Sequence, residues 1–345
     1  LPEARTKIRI RRLYKIFGPD PLAALALTEA GMGRSELLDN HGHVLALGGI
    51  DLEIAAGAIH VVMGLSGSGK STLVRHINRL IEPTAGGVAI DGEDILAFDG
   101  RRLTDLRRRR IAMVFQRFAL FPHRTVAENI AYVLAIQGAT KASQTQSAAR
   151  WIERIGLAGF ADHYPSQLSG GMQQRVGLAR ALATEPEILL MDEPFSALDP
   201  LIRSDMRGML LELQADLNKT IVFITHDLDE ALAVGGRISI LRHGAIEQTG
   251  APEDIVLSPA NAHVAEFVAD INRGRLLSVA AIMETGASLA TGLAIEADTV
   301  LEDAAHKLAA AGIGEGRVVD ADGETLGTVR LERILAVIAR PASAS

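Results

Sequence analysis

The segment Gly64-Leu65-Ser66-Gly67-Ser68-Gly69-Lys70-Ser71 combines glycines, a lysine and hydroxyl side chains at the spacing of a phosphate-binding loop. Glycine lets the backbone wrap closely around an anion, successive N–H groups then point inward, and a following helix adds the favourable end of its dipole. The expected phosphate-binding set is Gly64, Ser66, Gly67, Ser68, Gly69, Lys70, Ser71 and Thr72. Lys70 would hold the β- and γ-phosphates and the Ser71 hydroxyl would ligate Mg²⁺. Such a loop serves transport ATPases, kinases, GTPases and motors alike, so it indicates a ligand class and not yet a function.

Two carboxylates narrow the chemistry. Ile188-Leu189-Leu190-Met191 reads as a buried strand that ends directly in Asp192-Glu193. In an open parallel sheet, ligands gather outside the carboxyl ends of the strands, where Asp192 can reach the Mg²⁺ shell and Glu193 can approach an attacking water. Glu193 is therefore the expected general base. The plainer alternative is a pair of acids at a strand-to-loop junction.

A third segment, Leu168-Ser169-Gly170-Gly171-Met172-Gln173-Gln174-Arg175, is a glycine-containing turn leading into the apolar helix Val176 to Leu182. It resembles the signature motif of ABC ATPases, and Asp192-Glu193-Pro194-Phe195-Ser196-Ala197-Leu198-Asp199 is similar to their Walker B and D-loop segment. The resemblance implies an α/β fold, a P-loop NTPase nucleotide-binding domain of the ABC type that carries a helical subdomain and hydrolyses ATP with Mg²⁺ as a homodimer. It implies that Ser169, Gly170 and Gly171 meet ATP held by the partner's phosphate loop, and that Gln173 and Asp199 join the nucleotide-binding set. Gln116 stands where the family has its Q-loop glutamine, which touches Mg²⁺ and water and signals toward membrane subunits. His226 stands where the family has its switch histidine, at the γ-phosphate. For adenine the family uses an aromatic ring near the N-terminus. Phe17 is the expected ring and Tyr14 the alternative, and Pro19 to Gly42 intervene before the next strand, which in many relatives follows almost at once.

The insert after Phe17, the run Asn78 to Thr84, the stretch Met113 to Leu120 and the segment Ser196 to Arg203 look most like the glycine betaine, choline and proline importers of bacteria. That likeness implies transmembrane permease subunits as partners, a substrate-binding protein indirectly, and a peripheral position on the cytoplasmic face of the inner membrane. A related solute such as trimethylamine N-oxide, or a soluble ABC ATPase with no membrane partner, is the alternative.

These residues need a scaffold that brings distant segments to one edge. Short runs rich in Val, Ile and Leu at Ile59 to Met63, Ile111 to Phe115, Ile188 to Met191, Thr220 to Ile224 and Ile238 to Leu241 alternate with helical stretches, the pattern of a parallel sheet covered on both faces. Between about 122 and 182 the strand signal fades, and Trp151, Ile155, Leu157 and Leu168 recur in a helical rhythm, predicting a helical subdomain. Breaker residues between 258 and 276 mark the expected boundary, giving a nucleotide-binding domain over 1–270 and a small module over 276–345. In that module Val300 to Ala311 reads as a helix, Arg317 to Val319 and Thr325 to Val329 as strands around an Asp322-Gly323 turn, and Leu331 to Ile338 as a closing helix. Val318 to Gly327 resembles part of a cystathionine-β-synthase-type (CBS) repeat, with only one repeat complete and a degenerate partner sought around Leu276 to Leu293.

Composition sets the outer limits. The chain has 345 residues, 48% of them hydrophobic and 22% charged, with no cysteine, which removes disulfide and thiolate chemistry and suits a reducing compartment. The opening residues Leu1 to Arg5 show no signal-peptide pattern, and the apolar stretch Leu276 to Ile295 is interrupted by Glu284. A net charge of −7 gives no basis for binding nucleic acid, and from residue 276 onward acids outnumber bases ten to five, which disfavours an anionic membrane surface for the module. The one basic run, Arg107 to Arg110, is expected to be a solvated helix end.

Overall fold

The computed structural model describes residues 5–116, 119–269, 271–285 and 292–339, and it divides into two units, 1–249 and 250–345. The first unit opens with β1 (Thr6–Phe17), α1 (Pro21–Glu29), α2 (Arg34–His41), β2 (Val44–Ala55), β3 (Ile59–Met63), α3 (Lys70–Ile77), β4 (Ala85–Ile90) and β5 (Glu93–Asp94). It continues with α4 (Gly100–Asp105), β6 (Ile111–Val114), α5 (Val126–Ile136), α6 (Lys141–Arg154), α7 (Gly170–Leu182), β7 (Ile188–Asp192), α8 (Pro200–Leu217), β8 (Thr220–Thr225), α9 (Leu228–Val234), β9 (Arg237–Arg242) and β10 (Ala245–Gly250).

The larger sheet runs β10-β9-β3-β8-β7-β6, with β9, β3, β8, β7 and β6 parallel. Every residue of β3, β7 and β8 is buried, as doubly covered strands require. The order matters for function, because β8 lies between β3 and β7. The segments that leave their carboxyl ends, at Gly64, Asp192 and His226, therefore emerge side by side.

A second, antiparallel sheet, β2-β1-β4-β5, was not expected from the sequence. In β1 the residues Lys7, Arg9 and Arg11 alternate with buried Ile8 and Ile10, so one face is basic and the other apolar. The apolar face joins Leu47, Ile50 and Ile54 of β2, Leu73 and Ile77 of α3, and Val62, Leu190 and Val222 of the parallel sheet in one core. Each such fully buried aliphatic side chain contributes roughly 1.5–3 kcal/mol, and this core fixes the helix that carries Lys70 and Ser71.

The expected helical subdomain is α5 to α7. A capping box between Thr125 and Glu128 starts α5, and buried Asn129 holds the preceding loop by accepting from the Phe121 N–H and donating to the Phe121, Arg124 and Thr125 carbonyls. Trp151, Ile155, Leu157 and Leu168 are all buried.

The basic run is the helical end expected, with Arg107, Arg108 and Arg109 exposed, but two of its arginines also hold partners. Arg107 donates to the Asn78 and Arg79 carbonyls, and Arg110 pairs with Asp91 and Glu187, which Lys7 also contacts. Two of the four arginines thus tie the turn after α4 to α3, β4 and the approach to β7.

In the second unit, α10 (Pro252–Leu257), α11 (Ala262–Phe267) and α12 (Arg273–Leu276) precede β11 (Glu284–Thr285), β12 (Ala294–Glu296), α13 (Leu301–Ala310), β13 (Glu315–Val319), β14 (Thr325–Arg330) and α14 (Leu331–Ile338). The division at 249/250 assigns α10 to α12 to this unit, about 20 residues before the boundary read from the breaker residues, and α12 packs on α13 and α14. The sheet order is β11-β14-β13-β12, parallel between β12 and β13 and antiparallel elsewhere. The Asp320 carboxylate accepts from the Asp322 and Glu324 N–H groups and shapes the β13–β14 turn. Residues 1–4, Arg117 and Phe118 of the importer-like stretch, part of the 276–293 segment and the tail from 340 lie outside the described residues. Among the described residues no helix is long and apolar enough to cross a membrane.

Candidate functional site

The turn between β3 and α3 is shaped by close packing. Gly64 has φ +148°, and a Cβ there would stand 2.0 Å from the Leu241 carbonyl oxygen, so only glycine lets the loop leave the sheet at this point. Ser66, Gly67, Gly69, Lys70, Ser71 and Thr72 then line a cleft of about 430 Å³. Ser68 is buried beneath it, its N–H on the Leu65 carbonyl and its own carbonyl accepting from Gly244.

Lys70 is 5% exposed, and its Nζ donates to the Gly64 (2.8 Å) and Leu65 (3.0 Å) carbonyls, with Glu193 Oε1 at 3.7 Å. Burial holds its pKa below the ordinary lysine value, opposed by the carboxylates of Glu193 and Asp192. A buried cation with two carbonyls and a distant carboxylate lacks a full counter-charge, and an entering phosphate supplies one.

Asp192 ends β7, and its Oδ1 accepts from the Ser71 hydroxyl at 2.7 Å, while Arg75 approaches Oδ2 at 3.6 Å. Glu193 lies one residue on, with φ +46°, and its N–H donates to the Ile224 carbonyl. A non-glycine residue in the left-handed region costs on the order of 1–3 kcal/mol and persists only when the surroundings over-determine it. Here the twist sends Glu193 Oε2 to 3.2 Å from His226 Nδ1 while Oε1 faces Lys70. Gln116 and Phe17 also line the cleft.

The sequence-derived residues thus separate into two groups. Phe17, the loop residues, Gln116, Asp192, Glu193 and His226 converge in one chain. Tyr14 does not line the cleft; its hydroxyl lies where a Cβ on Gly49 would approach to 2.9 Å. Ser169, Gly170, Gly171, Gln173 and Asp199 do not line it either. Ser169 and Gly170 are exposed and Gly171 is buried against Ile202. Ser169 caps α7 by accepting from the Met172 N–H, Asp199 caps α8 through the Ile202 N–H, and the Gln173 amide donates to the Pro165 and Leu168 carbonyls. Two charged residues at the site escaped the sequence reading. Arg75, beside Asp192, was legible, since it follows Ser71 by four residues on one helix face. Arg34, which lines the cleft from the insert, carries no motif.

Mg²⁺ needs hard oxygen donors and keeps several sites for water and phosphate. A hydroxyl and a carboxylate oxygen already in contact, with an amide lining the same cleft, fit that requirement.

Comparison with known proteins agrees with this geometry. The family description "ABC transporter" matches residues 47–196. The glycine betaine transport ATP-binding protein OpuAA of Bacillus subtilis is 51% identical over 282 residues, covering 82% of this chain and 68% of that protein. The trimethylamine N-oxide transport system ATP-binding protein TmoW of Ruegeria pomeroyi is 44% identical over 301 residues, covering 87% and 88%. Among solved structures, the post-hydrolysis dimer of the ATP-binding cassette MJ0796 with ADP and Pi superimposes with TM-score 0.60 at 34% identity, over 71% of this chain and 98% of that one. With the phosphate loop, the paired carboxylates and the histidine meeting at one sheet edge, and with these identities across most of its length, the chain belongs to the ABC transporter family as an ATP-hydrolysing, ATP-binding cassette.

Proposed function

We propose that this chain powers import of a glycine betaine-like quaternary amine, or of the related trimethylamine N-oxide, by working as a homodimer beneath transmembrane permease subunits on the cytoplasmic face of the inner membrane. The observation that carries the enzymatic part is the meeting of Lys70, the Ser71–Asp192 pair and the Glu193–His226 pair around one cleft. The solute class rests on the relatives' identities, and a substrate-binding protein would deliver the solute to the permease.

In this reading Lys70 and the loop N–H groups spread the charge of the γ-phosphate, and Phe17 stacks on the adenine. Ser71, Asp192 and Gln116 would hold Mg²⁺, which when bound would offset the negative charge of the phosphates. Glu193 takes a proton from the attacking water, and His226 fixes the Glu193 carboxylate and reaches the γ-phosphate. Ser169, Gly170 and Gly171 present a hydroxyl and a helix N-terminus to the ATP of the partner subunit, with Gln173 supporting the turn and Asp199 at the junction. The β12-α13-β13-β14-α14 arrangement is the basis for reading 276–345 as a CBS-like module for dimerisation or gating.

The test uses the assembled transporter in vesicles with its permease and binding protein. Glycine betaine or trimethylamine N-oxide should stimulate ATP hydrolysis several-fold, and deletion from residue 276 should reduce the response to salt. Hydrolysis indifferent to every quaternary amine offered would overturn the solute class, and an unaltered salt response after deletion would overturn the gating role.

A further inference from the structure

The insert between β1 and β2 is a built wall. Ala24 and Leu37 pack with Ile16 and Leu45 as a separate hydrophobic cluster, joined by Leu25, Leu27 and Met32. His43 locks it, accepting the Asp20 N–H at Nε2 and donating from Nδ1 to the His41 carbonyl. Gly18 has φ +151°, and a Cβ there would stand 2.3 Å from the His43 ring, so the two close together over the end of β1. Arg12 pairs with Glu29 across the same junction.

Arg34 opens α2, one turn ahead of buried Leu37, and lines the nucleotide cleft together with Phe17, Val44 and Lys70. It is half-buried, and among the described residues it has no carboxylate partner; its Nη1 lies 3.5 Å from Nδ1 of the His243 ring. His243 belongs to the turn whose Gly244 donates to the Ser68 carbonyl and accepts from the Gly48 N–H, on the β2 side of the phosphate loop. Leu37 shares its cluster with Leu45, the neighbour of Val44, which in turn pairs with Phe17. Arg34 therefore enters the cleft from the insert side, beside Phe17 and Val44. A guanidinium held by a rigid wall with its donors uncommitted matches a bidentate phosphate or ribose acceptor.

We infer that Arg34 is a nucleotide-binding residue of this chain, donating to the α-phosphate and ribose of ATP, and that the insert serves to present it. The inference rests on the ATP reading of the cleft. A contact at that end is made equally to ATP and ADP, and it strengthens binding without depending on the γ-phosphate.

Calorimetric titration of the full chain with ADP and with a non-hydrolysable ATP analogue tests this. Arg34→Ala should weaken both by the same factor, about tenfold for a charge-assisted contact, Arg34→Lys should weaken both less, and Arg34→Glu more. Thermal melting without nucleotide, expected to match the unsubstituted chain, shows that folding is intact. Unchanged affinities, or a loss confined to the ATP analogue, would overturn the assignment. Lys70→Ala, which should weaken both nucleotides, is the positive control; if the unsubstituted chain bound neither nucleotide, the ATP reading itself would fail, an outcome distinct from a normal chain indifferent to Arg34.

Discussion

At the scale of single residues, Glu193 concentrates the chemistry. Its positive φ is imposed by the Ile224 carbonyl holding its N–H, and the side chain then bridges His226 and Lys70. Glu193→Gln keeps the length and an oxygen for those neighbours but removes the base. We expect ATP to bind as before while turnover falls by roughly 10²–10⁴-fold, the range supplied by a positioned general base. Nucleotide-binding titration beside a phosphate-release assay separates the two effects, and a variant that hydrolyses at the normal rate would exclude Glu193 from that role. The residues of this group were legible because each motif is contiguous: Lys70 and Ser71 follow their glycines, and Asp192 and Glu193 follow an unbroken apolar strand. Arg34 was not, because nothing in Gly33-Arg34-Ser35 signals a ligand; only the fold of the insert carries it to the cleft.

At the scale of elements, parallel strands announced themselves as runs of Val, Ile and Leu, whereas the antiparallel sheet is written as alternation. Lys7-Ile8-Arg9-Ile10-Arg11 has the period of a strand with one wet face, and its charges break up any apolar run. Likewise Arg107 to Arg110 carries no sign of which arginines find carbonyls and carboxylates, since Asn78, Asp91 and Glu187 are remote in sequence. The parallel sheet also encloses a polar chain. His60 on β3 contacts the Ser239 hydroxyl of β9 at 2.8 Å, which contacts Thr249 of β10 at 2.8 Å. Burial, reinforced by Arg237, lowers the His60 pKa from 6.5 to about 4. The unfolded chain therefore takes up the proton first. Stability from this site is fully present above pH 6.5 and is lost as pH falls through 4, in total about 3 kcal/mol. In His60→Gln, which cannot titrate, the stability gap to the unsubstituted chain should narrow by that amount between pH 7 and pH 4 in urea unfolding. A gap that is constant with pH would show that His60 is not the group responsible.

At the scale of the whole molecule, the cleft of one chain is incomplete for the reaction proposed. Lys70, Asp192 and Glu193 gather in it, yet the Ser169 turn, equally suited to an anion by its exposed hydroxyl and helix N-terminus, does not line it. In a two-fold dimer each Lys70 loop would face the partner's Ser169 turn, giving two composite sites. Lys70→Ala and Ser169→Arg should each silence both sites when present in every subunit. Mixed one to one, half the dimers pair one variant with the other. In those dimers both lesions fall in the same composite site, and the second site combines an intact Lys70 loop with an intact Ser169 turn. Hydrolysis should therefore return in the mixture, to about a quarter of the normal rate if the sites work independently. If instead Ser169 served the cleft of its own chain, every site in every dimer would carry one lesion, and mixing would restore nothing.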